Sequence, residues 1–276
     1  MQLDLYGLKP SKSMGQNFLV DKNIPEKIVR LAGIDEQCGI LEIGPGFGAL
    51  TMELGRSAGH VVAVELDRRL LPILGEKFVE QQNVEIVPGD ILKLNIKELV
   101  REKMPGLRHQ VCANLPYSIT TPVIALLIES YVFERITIMV QREVARRITA
   151  GPGTPDYGAF SVFVNYHTEP GILFDVPPEC FSPRPKVYSS VVGMDIRPKR
   201  LLEPEDEKVF FSLVRAAFGQ RRKTLVNALH SVFGSLMGKD DIAGFVCQCG
   251  FEANVRGERL GIDDFIKLSE FFRNTA

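Results

Sequence analysis

The sequence predicts an α/β protein with a mostly parallel sheet, followed by a small all-helical domain. Short apolar runs alternate with helical patterns between residues 39 and 140, which is typical of a parallel sheet covered by helices on both faces. After residue 198 the pattern becomes helical, with acidic residues at the start of several segments and glycines at their ends. We therefore expect a first domain of residues 1–198 and a helical domain of residues 199–276.

Segments of the first domain have the length and apolar character of buried strands. They cover residues 39–44, 60–66, 83–90, 110–114, 135–140, 172–177 and 187–196, which makes a seven-stranded sheet. The helical patterns between them cover residues 49–57, 68–79, 96–102 and 122–130. Residues 157–166 fit a helix and a strand equally well.

The composition is that of a soluble globular protein, with 45% hydrophobic and 24% charged residues in 276. No apolar run reaches the ~20 residues that cross a bilayer, and the N-terminus is too polar for a secretory signal, so we expect a cytoplasmic protein without a membrane partner. The five cysteines lack paired spacing, which predicts buried reduced thiols and no metal site.

A glycine-rich turn follows the first strand of the sheet. The segment "LEIGPGFGALT" places Gly44, Gly46 and Gly48 between a strand and a helix, where a ligand can approach the backbone closely. The same letters fit the dinucleotide fingerprint G-x-G-x-x-A. The glycines alone therefore leave two ligands open, a nicotinamide cofactor and S-adenosylmethionine.

Carboxylates end three successive strands of the predicted sheet. Glu42 and Glu65 end the first two, and a carboxylate at Glu65 can accept both hydroxyls of a ribose. Asp90 ends the third strand and can accept a hydrogen bond from the amine of an adenine, with Ile91 packed on the ring. Because the carboxyl ends of parallel strands meet at one edge, these residues predict a nucleoside-binding crevice. A helix N-cap is the alternative role for Asp90.

The fourth strand ends in an amide, a proline and an aromatic ring. The amine of an adenine is a poor nucleophile, and acceptors for both its protons direct its lone pair towards a methyl donor. The side-chain oxygen of Asn114 and the main-chain oxygen of Leu115 suit that task, and Pro116 removes a competing N–H. Tyr117 offers a flat face to an unstacked base. A dehydrogenase has no use for this arrangement, whereas a plain turn that caps the next helix fits it in isolation.

The motifs, taken in order, resemble the ribosomal RNA adenine dimethyltransferase family. "EIGPGFG", "VELD", "GDIL" and "NLPYSITTPV" carry the resemblance, together with "SKSMGQNFLVDKNI" near the N-terminus and "VPPECFSPRPKVYSSVV" before the last strand. "FSLVRAAFGQRRKTLVNAL" resembles the C-terminal signature of the KsgA type, which acts on small-subunit ribosomal RNA. The matches span residues 11 to about 229. The resemblance implies a Rossmann-like class I methyltransferase that forms N6,N6-dimethyladenosine in 16S rRNA and has a role in small-subunit assembly.

The resemblance also implies residue roles, with residues 1–24 as a lid segment over S-adenosylmethionine. The cofactor-binding residues it implies are Asn17, Leu19, Gly44, Gly46, Glu65, Leu66, Asp90, Ile91 and Asn114. The catalytic residues are Asn114, Leu115, Pro116 and Tyr117, with Tyr117 on one face of the target adenine and Phe181 as the candidate for the other face.

Basic residues are concentrated after residue 209, since residues 209–239 contain no Asp or Glu although the net charge of the chain is −1. A monomer that binds small-subunit rRNA in an immature 30S particle is the expected state. The candidate phosphate contacts are Arg215, Arg221, Arg222, Lys223, Arg184, Lys186, Arg146 and Arg147. The alternatives are a 23S rRNA adenine methyltransferase of the macrolide-resistance type, a largely non-catalytic assembly factor, and an NAD-dependent dehydrogenase.

Overall fold

The computed structural model describes residues 16–275. Its strands, in chain order, are β1 (Phe18–Leu19), β2 (Cys38–Ile43), β3 (His60–Glu65), β4 (Val84–Pro88), β5 (Arg108–Asn114), β6 (Arg135–Gln141), β7 (Thr168–Val176), β8 (Phe181–Ser182) and β9 (Ser189–Ile196). Its helices are α1 (Asn23–Ala32), α2 (Ala49–Ser57), α3 (Leu71–Lys77), α4 (Ile96–Lys103), α5 (Thr120–Ser130), α6 (Arg142–Thr149), α7 (Ala159–His167), α8 (Pro204–Gly219), α9 (Leu225–Phe233), α10 (Lys239–Gln248) and α11 (Ile262–Thr275). Short 3-10 turns cover Tyr117–Ile119, Pro178–Cys180 and Gly257–Arg259.

The larger sheet confirms the predicted architecture. Its seven strands run in the order β4-β3-β2-β5-β6-β9-β7. The pairs from β4 to β6 are all parallel, and β9 is antiparallel to β6. β2 lies at the centre and is buried along its whole length, which explains why its sequence is continuously apolar apart from Glu42. The order reverses beside β2, and this is the position where ligands bind in open α/β sheets.

A second, two-stranded sheet joins the N-terminal segment to the segment before β9. β1 pairs antiparallel with β8, with Phe18 opposite Ser182 and Leu19 opposite Phe181. The amide of Val20 adds a further hydrogen bond of 2.8 Å to the carbonyl of Cys180. The part of the predicted lid segment before residue 16 lies outside the described residues.

The structure differs from the predicted elements at three places. The ambiguous residues 157–166 form the helix α7, and the helices α1 and α6 were absent from the prediction. β7 begins at Thr168, four residues before the predicted start of 172, because a glycine and a proline at its beginning weaken the strand pattern.

The chain divides into two compact units, and the division differs from the predicted boundary at residue 198. One unit contains residues 16–145 and 169–196, and the other contains residues 146–168 and 197–275. α7 therefore belongs with the C-terminal helices. The reason is aromatic packing, since the buried ring of Tyr166 lies 4.8 Å from that of Phe210 and 5.0 Å from that of Phe211 in α8.

All five cysteines are free. Cys38, Cys112, Cys180 and Cys249 are buried as predicted, whereas Cys247 is exposed and corrects the expectation that all five are buried. It lies in α10, whose buried side is formed by Ile242, Phe245 and Val246. In residues 16–275, no helix combines the length and the apolar character that a bilayer crossing requires.

Gly48 is a position where the fold depends on the absence of a side chain. Its φ of 74° is left-handed, and an added Cβ would lie 2.6 Å from the ring of Phe78. We expect Gly48→Ala to lower the free energy of unfolding by about 2–4 kcal/mol, through backbone strain and overpacking together. Denaturant unfolding measures the change.

Gly75→Ala is the matched control for that substitution. Gly75 lies within α3, and nothing lies within 4 Å of an added Cβ there. Because alanine is the better helix former, this variant should be more stable by about 0.5–1 kcal/mol. Equal effects of the two substitutions would contradict the proposed role of the turn.

Candidate active site

A crevice opens at the carboxyl ends of the neighbouring parallel strands β4, β3, β2 and β5, with an internal volume of about 220 Å³. It is lined by every predicted cofactor-binding residue and by the whole predicted catalytic tetrapeptide. These residues are Asn17, Leu19, Gly44, Gly46, Glu65, Leu66, Asp90, Ile91, Asn114, Leu115, Pro116 and Tyr117. Residues from the N-terminal segment, three strand ends and the glycine turn therefore meet around one space.

The glycine turn lines the crevice and lies against the N-terminal segment. Gly46 has a left-handed φ of 60°, and an added Cβ would lie 3.0 Å from the ring of Phe18. That ring packs on Phe47 with 4.6 Å between the centroids, so the N-terminal segment lies directly on the turn. A side chain at residue 46 would thus displace Phe18 as well as strain the backbone.

Glu65 fastens the turn to the end of β3. Its Oε2 accepts a hydrogen bond of 3.2 Å from the amide of Gly46, and its Oε1 accepts one of 2.7 Å from the amide of Asp67. Burial raises the pKa of Glu65, although both hydrogen bonds oppose the shift. Each carboxylate oxygen has a second acceptor site, so the group can still receive two hydroxyls.

Asp67 holds the N-terminal segment in place, a role that the sequence analysis missed. Its Oδ2 accepts hydrogen bonds of 3.0 Å from the side-chain amide of Gln16 and 2.7 Å from Arg69. Arg69 is the main reason why the pKa of Asp67 falls to about 2. The signal was available in the sequence, because Asp67 is a second acid two residues after Glu65 at the end of a strand.

The Asn114 side chain connects the fourth strand to the same segment. Its Nδ2 donates a hydrogen bond of 3.3 Å to the main-chain oxygen of Asn17. The amide nitrogen is thereby engaged, and Oδ1 is the group of this side chain that can accept from a ligand. The next residue, Leu115, is buried, and its amide donates to the carbonyl of Met139 at 3.1 Å, which extends the pairing of β5 with β6 beyond the strand.

Tyr117 is positioned by hydrogen bonds at both its backbone and its ring. Its hydroxyl lies 2.8 Å from Oγ of the buried Ser189, at the start of β9. Burial raises the pKa of this hydroxyl, so the tyrosine is neutral at physiological pH. Thr120 Oγ1 donates to the main-chain oxygens of Pro116 and Tyr117 at 3.2 and 3.4 Å. Thr120 therefore fixes the turn that carries the ring.

Asp90 lies in a turn after β4 and does not cap a helix, because the N-cap of α4 is Asn95. Its Oδ1 accepts a hydrogen bond of 3.1 Å from the amide of Leu92, which is a local turn contact. Its Oδ2 lies 3.6 Å from the ammonium of Lys93. The residue nevertheless lines the crevice, next to the buried side chain of Ile91.

Phe181 lies elsewhere than the sequence analysis placed it. Its side chain is only 4% exposed and packs in an apolar cluster with Leu19, Val176 and Cys180. It does not line the crevice. In this structure its ring packs in the core, and a role on the second face of an adenine stays a prediction. The cause is the pairing of β8 with β1, which sequence spacing does not reveal.

Glu42 is the most unusual group of the crevice. It is 1% exposed, and its Oε2 has no hydrogen-bond partner within residues 16–275. Burial raises its pKa to about 8, with smaller effects from Thr51, Glu65 and Lys77. The ammonium of Lys77 donates a hydrogen bond of 2.7 Å to the main-chain oxygen of Phe47, and this bond stabilises the glycine turn.

The predicted RNA-binding cations differ in what they contact. Arg221 donates hydrogen bonds of 3.0 Å to the carbonyls of Pro155 and Tyr157, so it has a structural task in its own unit. Arg184 forms an ion pair of 3.1 Å with Glu179. The remaining candidates are exposed: Arg146, Arg147, Lys186, Arg215, Arg222 and Lys223.

Acidic, histidine and cysteine side chains do not gather into a metal-binding group of three anywhere in residues 16–275.

Solved structures with the same fold define the class of protein. A dimethyladenosine transferase from Plasmodium falciparum has a TM-score of 0.80 at 26% identity, over 93% of this chain and 98% of that chain. The 23S rRNA methyltransferase ErmE has a TM-score of 0.73 at 25% identity, over 93% of this chain and 100% of that chain. These two similarities, together with the sheet order and the crevice, show that this protein is a Rossmann-like class I methyltransferase. The alternative of an NAD-dependent dehydrogenase is therefore wrong.

Sequence relatives define the family. A ribosomal RNA small subunit methyltransferase A from Alkaliphilus oremlandii is 47% identical over 94% of this chain and 91% of the relative. The protein of the same name from Clostridioides difficile is 44% identical over 96% of this chain and 91% of its own length. The family model described as ribosomal RNA adenine dimethylase matches residues 7–270. The chain belongs to the ribosomal RNA adenine dimethylase family.

The raised pKa of Glu42 predicts a pH-dependent stability difference. Between its unfolded pKa of 4.5 and its folded pKa of about 8, Glu42 is ionised in the unfolded chain and protonated in the folded one. Wild-type stability therefore falls as the pH rises through this window. Glu42→Gln lacks this loss, so its stability relative to wild type should rise from pH ~5 to ~8, by up to about 1.4 kcal/mol per pH unit.

Denaturant unfolding at the two pH values measures this difference. Glu129→Gln is the matched control, because it removes a carboxylate from an exposed position on α5. The same stability difference between Glu42→Gln and wild type at both pH values would show that Glu42 is ionised when folded.

Proposed function

We propose that this protein transfers methyl groups from S-adenosylmethionine to N6 of adenosines in small-subunit ribosomal RNA and forms N6,N6-dimethyladenosine. The arrangement of Asn114 carries the proposal. Its amide nitrogen is held by the carbonyl of Asn17, and this leaves its oxygen as an acceptor at the wall of the crevice. An acceptor is the group that an adenine amine requires.

The crevice residues fit S-adenosylmethionine. Gly44 leaves space that a Cβ would fill, with only Pro116 within 4 Å, and the Oε2 of Glu42, which also lines the crevice, has no hydrogen-bond partner in residues 16–275. Glu65 can accept the ribose hydroxyls, and Asp90 with Ile91 can hold the adenine. When bound, S-adenosylmethionine supplies an electrophilic methyl group.

The catalytic turn orients the amine that is methylated. The oxygens of Asn114 and Leu115 accept its two protons and direct its lone pair out of the plane of the adenine ring. Tyr117 stacks on the base, and its hydrogen bond to Ser189 fixes the plane in which the base lies. In this proposal, catalysis comes mainly from positioning, because the acceptors are held in place before the substrate arrives.

The proposed substrate form is rRNA in an immature 30S particle in the cytoplasm, where the protein also has a role in assembly. Relatives at 42–47% identity are named for the small subunit, which supports this choice over large-subunit rRNA as substrate. We propose that one copy of the chain acts alone, since its own N-terminal segment, glycine turn and catalytic turn together form the crevice.

A transfer assay tests the proposed substrate. The protein is incubated with labelled S-adenosylmethionine and either immature small subunits or large-subunit rRNA, and modified adenines are mapped. We expect dimethylated adenosines in the small-subunit RNA. Label in the large-subunit RNA alone would contradict the proposal, and no transfer to either RNA would favour a non-catalytic assembly factor.

Substitution of Asn114 tests the proposed mechanism. Asn114→Ala should lower kcat by about 10²–10³-fold at saturating substrate, because one preorganised group of the transition state is lost. Thr121→Ala is the matched control, since Thr121 is an exposed residue at the start of α5 and does not line the crevice. Normal turnover by Asn114→Ala would refute the mechanism.

The cations of residues 221–223 should separate into two roles. Removal of both Arg222 and Lys223, which are exposed, should weaken RNA binding and lower its salt slope by about 1–2, with an unchanged melting temperature. Arg221→Ala should instead lower the melting temperature, because it removes two hydrogen bonds to the segment at Pro155 and Tyr157. Filter binding at several salt concentrations and thermal unfolding distinguish the two outcomes.

A further inference from the structure

Two large apolar side chains are exposed immediately before β9, although neither takes part in the chemistry above. Val187 and Tyr188 are each 42% exposed. The guanidinium of Arg142 lies 4.7 Å from the centre of the Tyr188 ring. The amide of Arg142 also donates a hydrogen bond of 3.0 Å to the carbonyl of Tyr188, so the contact is fixed at the backbone as well as at the side chain.

Tyr188 adjoins the residue that holds the catalytic ring. Ser189, next in the chain, forms the 2.8 Å hydrogen bond with the Tyr117 hydroxyl. Consecutive Cα atoms are about 3.8 Å apart, so the backbone of Tyr188 lies within one residue of that contact. Tyr188 does not itself line the crevice, and its exposed ring lies one residue along the chain from the group that holds Tyr117.

The surroundings of Tyr188 suit a single-stranded nucleic acid. The guanidinium of Arg142 covers part of the Tyr188 ring. Because the Tyr188 side chain is 42% exposed, the rest of its aromatic surface can contact a second planar group. Residues 180–194 contain no Asp or Glu, and they carry the exposed Lys186 together with Arg184, which is paired with Glu179. Aromatic rings backed by arginine and flanked by cations are a recurrent means of stacking unpaired bases.

We propose that Tyr188, backed by Arg142, is a stacking platform for a nucleotide adjacent to the target adenosine. The inference rests on the proposed function, because it assigns a further RNA contact to the same site. Tyr188 binds the strand, whereas Asn114 and Tyr117 act on the adenine itself.

Kinetics with immature small subunits tests the platform. Tyr188→Ala should raise KM for the particle about tenfold, the effect of losing one stacked base. The kcat at saturation and the affinity for S-adenosylmethionine should stay within about twofold of the wild-type values. The melting temperature should stay within a few degrees of wild type. Tyr188→Phe should keep the wild-type KM because it keeps the ring, and Tyr188→Leu should not.

A fluorescence experiment observes the stacking directly. The chain contains no tryptophan, so Tyr188→Trp creates a single indole reporter at the platform. Single-stranded oligoadenylate should quench it, and an abasic oligonucleotide of equal length should not. Val79→Trp is the matched control, because Val79 is 76% exposed. It precedes β4 and so lies towards the amino ends of the parallel strands, whereas the crevice lies at their carboxyl ends.

The outcomes separate the platform from the proposed function. If wild-type protein transfers no methyl group to small-subunit RNA, the proposed function fails. If wild-type protein transfers methyl groups and Tyr188→Ala leaves KM unchanged, the platform alone is refuted. A fall in kcat and melting temperature without a rise in KM would show that Tyr188 only supports Ser189. Equal quenching by the two oligonucleotides would refute stacking and show that residue 188 contacts the nucleic-acid backbone.

Discussion

The crevice depends on the buried carboxylate of Glu65, whose two oxygens accept amide hydrogens from different parts of the backbone. One bond holds the glycine turn at Gly46, and the other holds the chain at Asp67. Asp67 in turn binds Gln16, and the adjacent Asn17 receives the amide of Asn114. A single buried acid thus connects the glycine turn, the N-terminal segment and the catalytic turn, and a loss of its charge or length would affect all three.

Placing several acids in a partly closed site has an electrostatic cost. Burial raises the pKa of both Glu42 and Glu65, the charge of Glu65 adds to the shift of Glu42, and the charge of Asp67 adds to the shift of Glu65. Hydrogen bonds from backbone amides oppose the shift of Glu65, whereas the pKa of Glu42 rises to about 8. Two acids on neighbouring strands therefore differ in how far the backbone offsets their burial.

Sequence patterns predicted the features that are encoded locally. The parallel sheet followed from apolar runs, and the crevice residues followed from their positions at strand ends, where topology brings them to one edge. The features that sequence patterns did not reveal are contacts between distant segments. Phe181 packs in the core because β8 pairs with β1, and Arg221 donates hydrogen bonds within its own unit because residues 155–157 fold against it. Residues 146–168 joined the C-terminal unit through the rings of α8, which no local pattern reveals.

The pairing of β1 with β8 is only two residues long, and this has a consequence for the crevice. Few main-chain hydrogen bonds hold the N-terminal strand, so detaching it costs far less free energy than unfolding the seven-stranded sheet. Because Asn17, Phe18 and Leu19 line the crevice, detaching this strand alone would uncover the crevice while the sheet stays folded. A variant that weakens the strand would then leave the global melting temperature unchanged, so thermal unfolding does not report on the closure of the crevice.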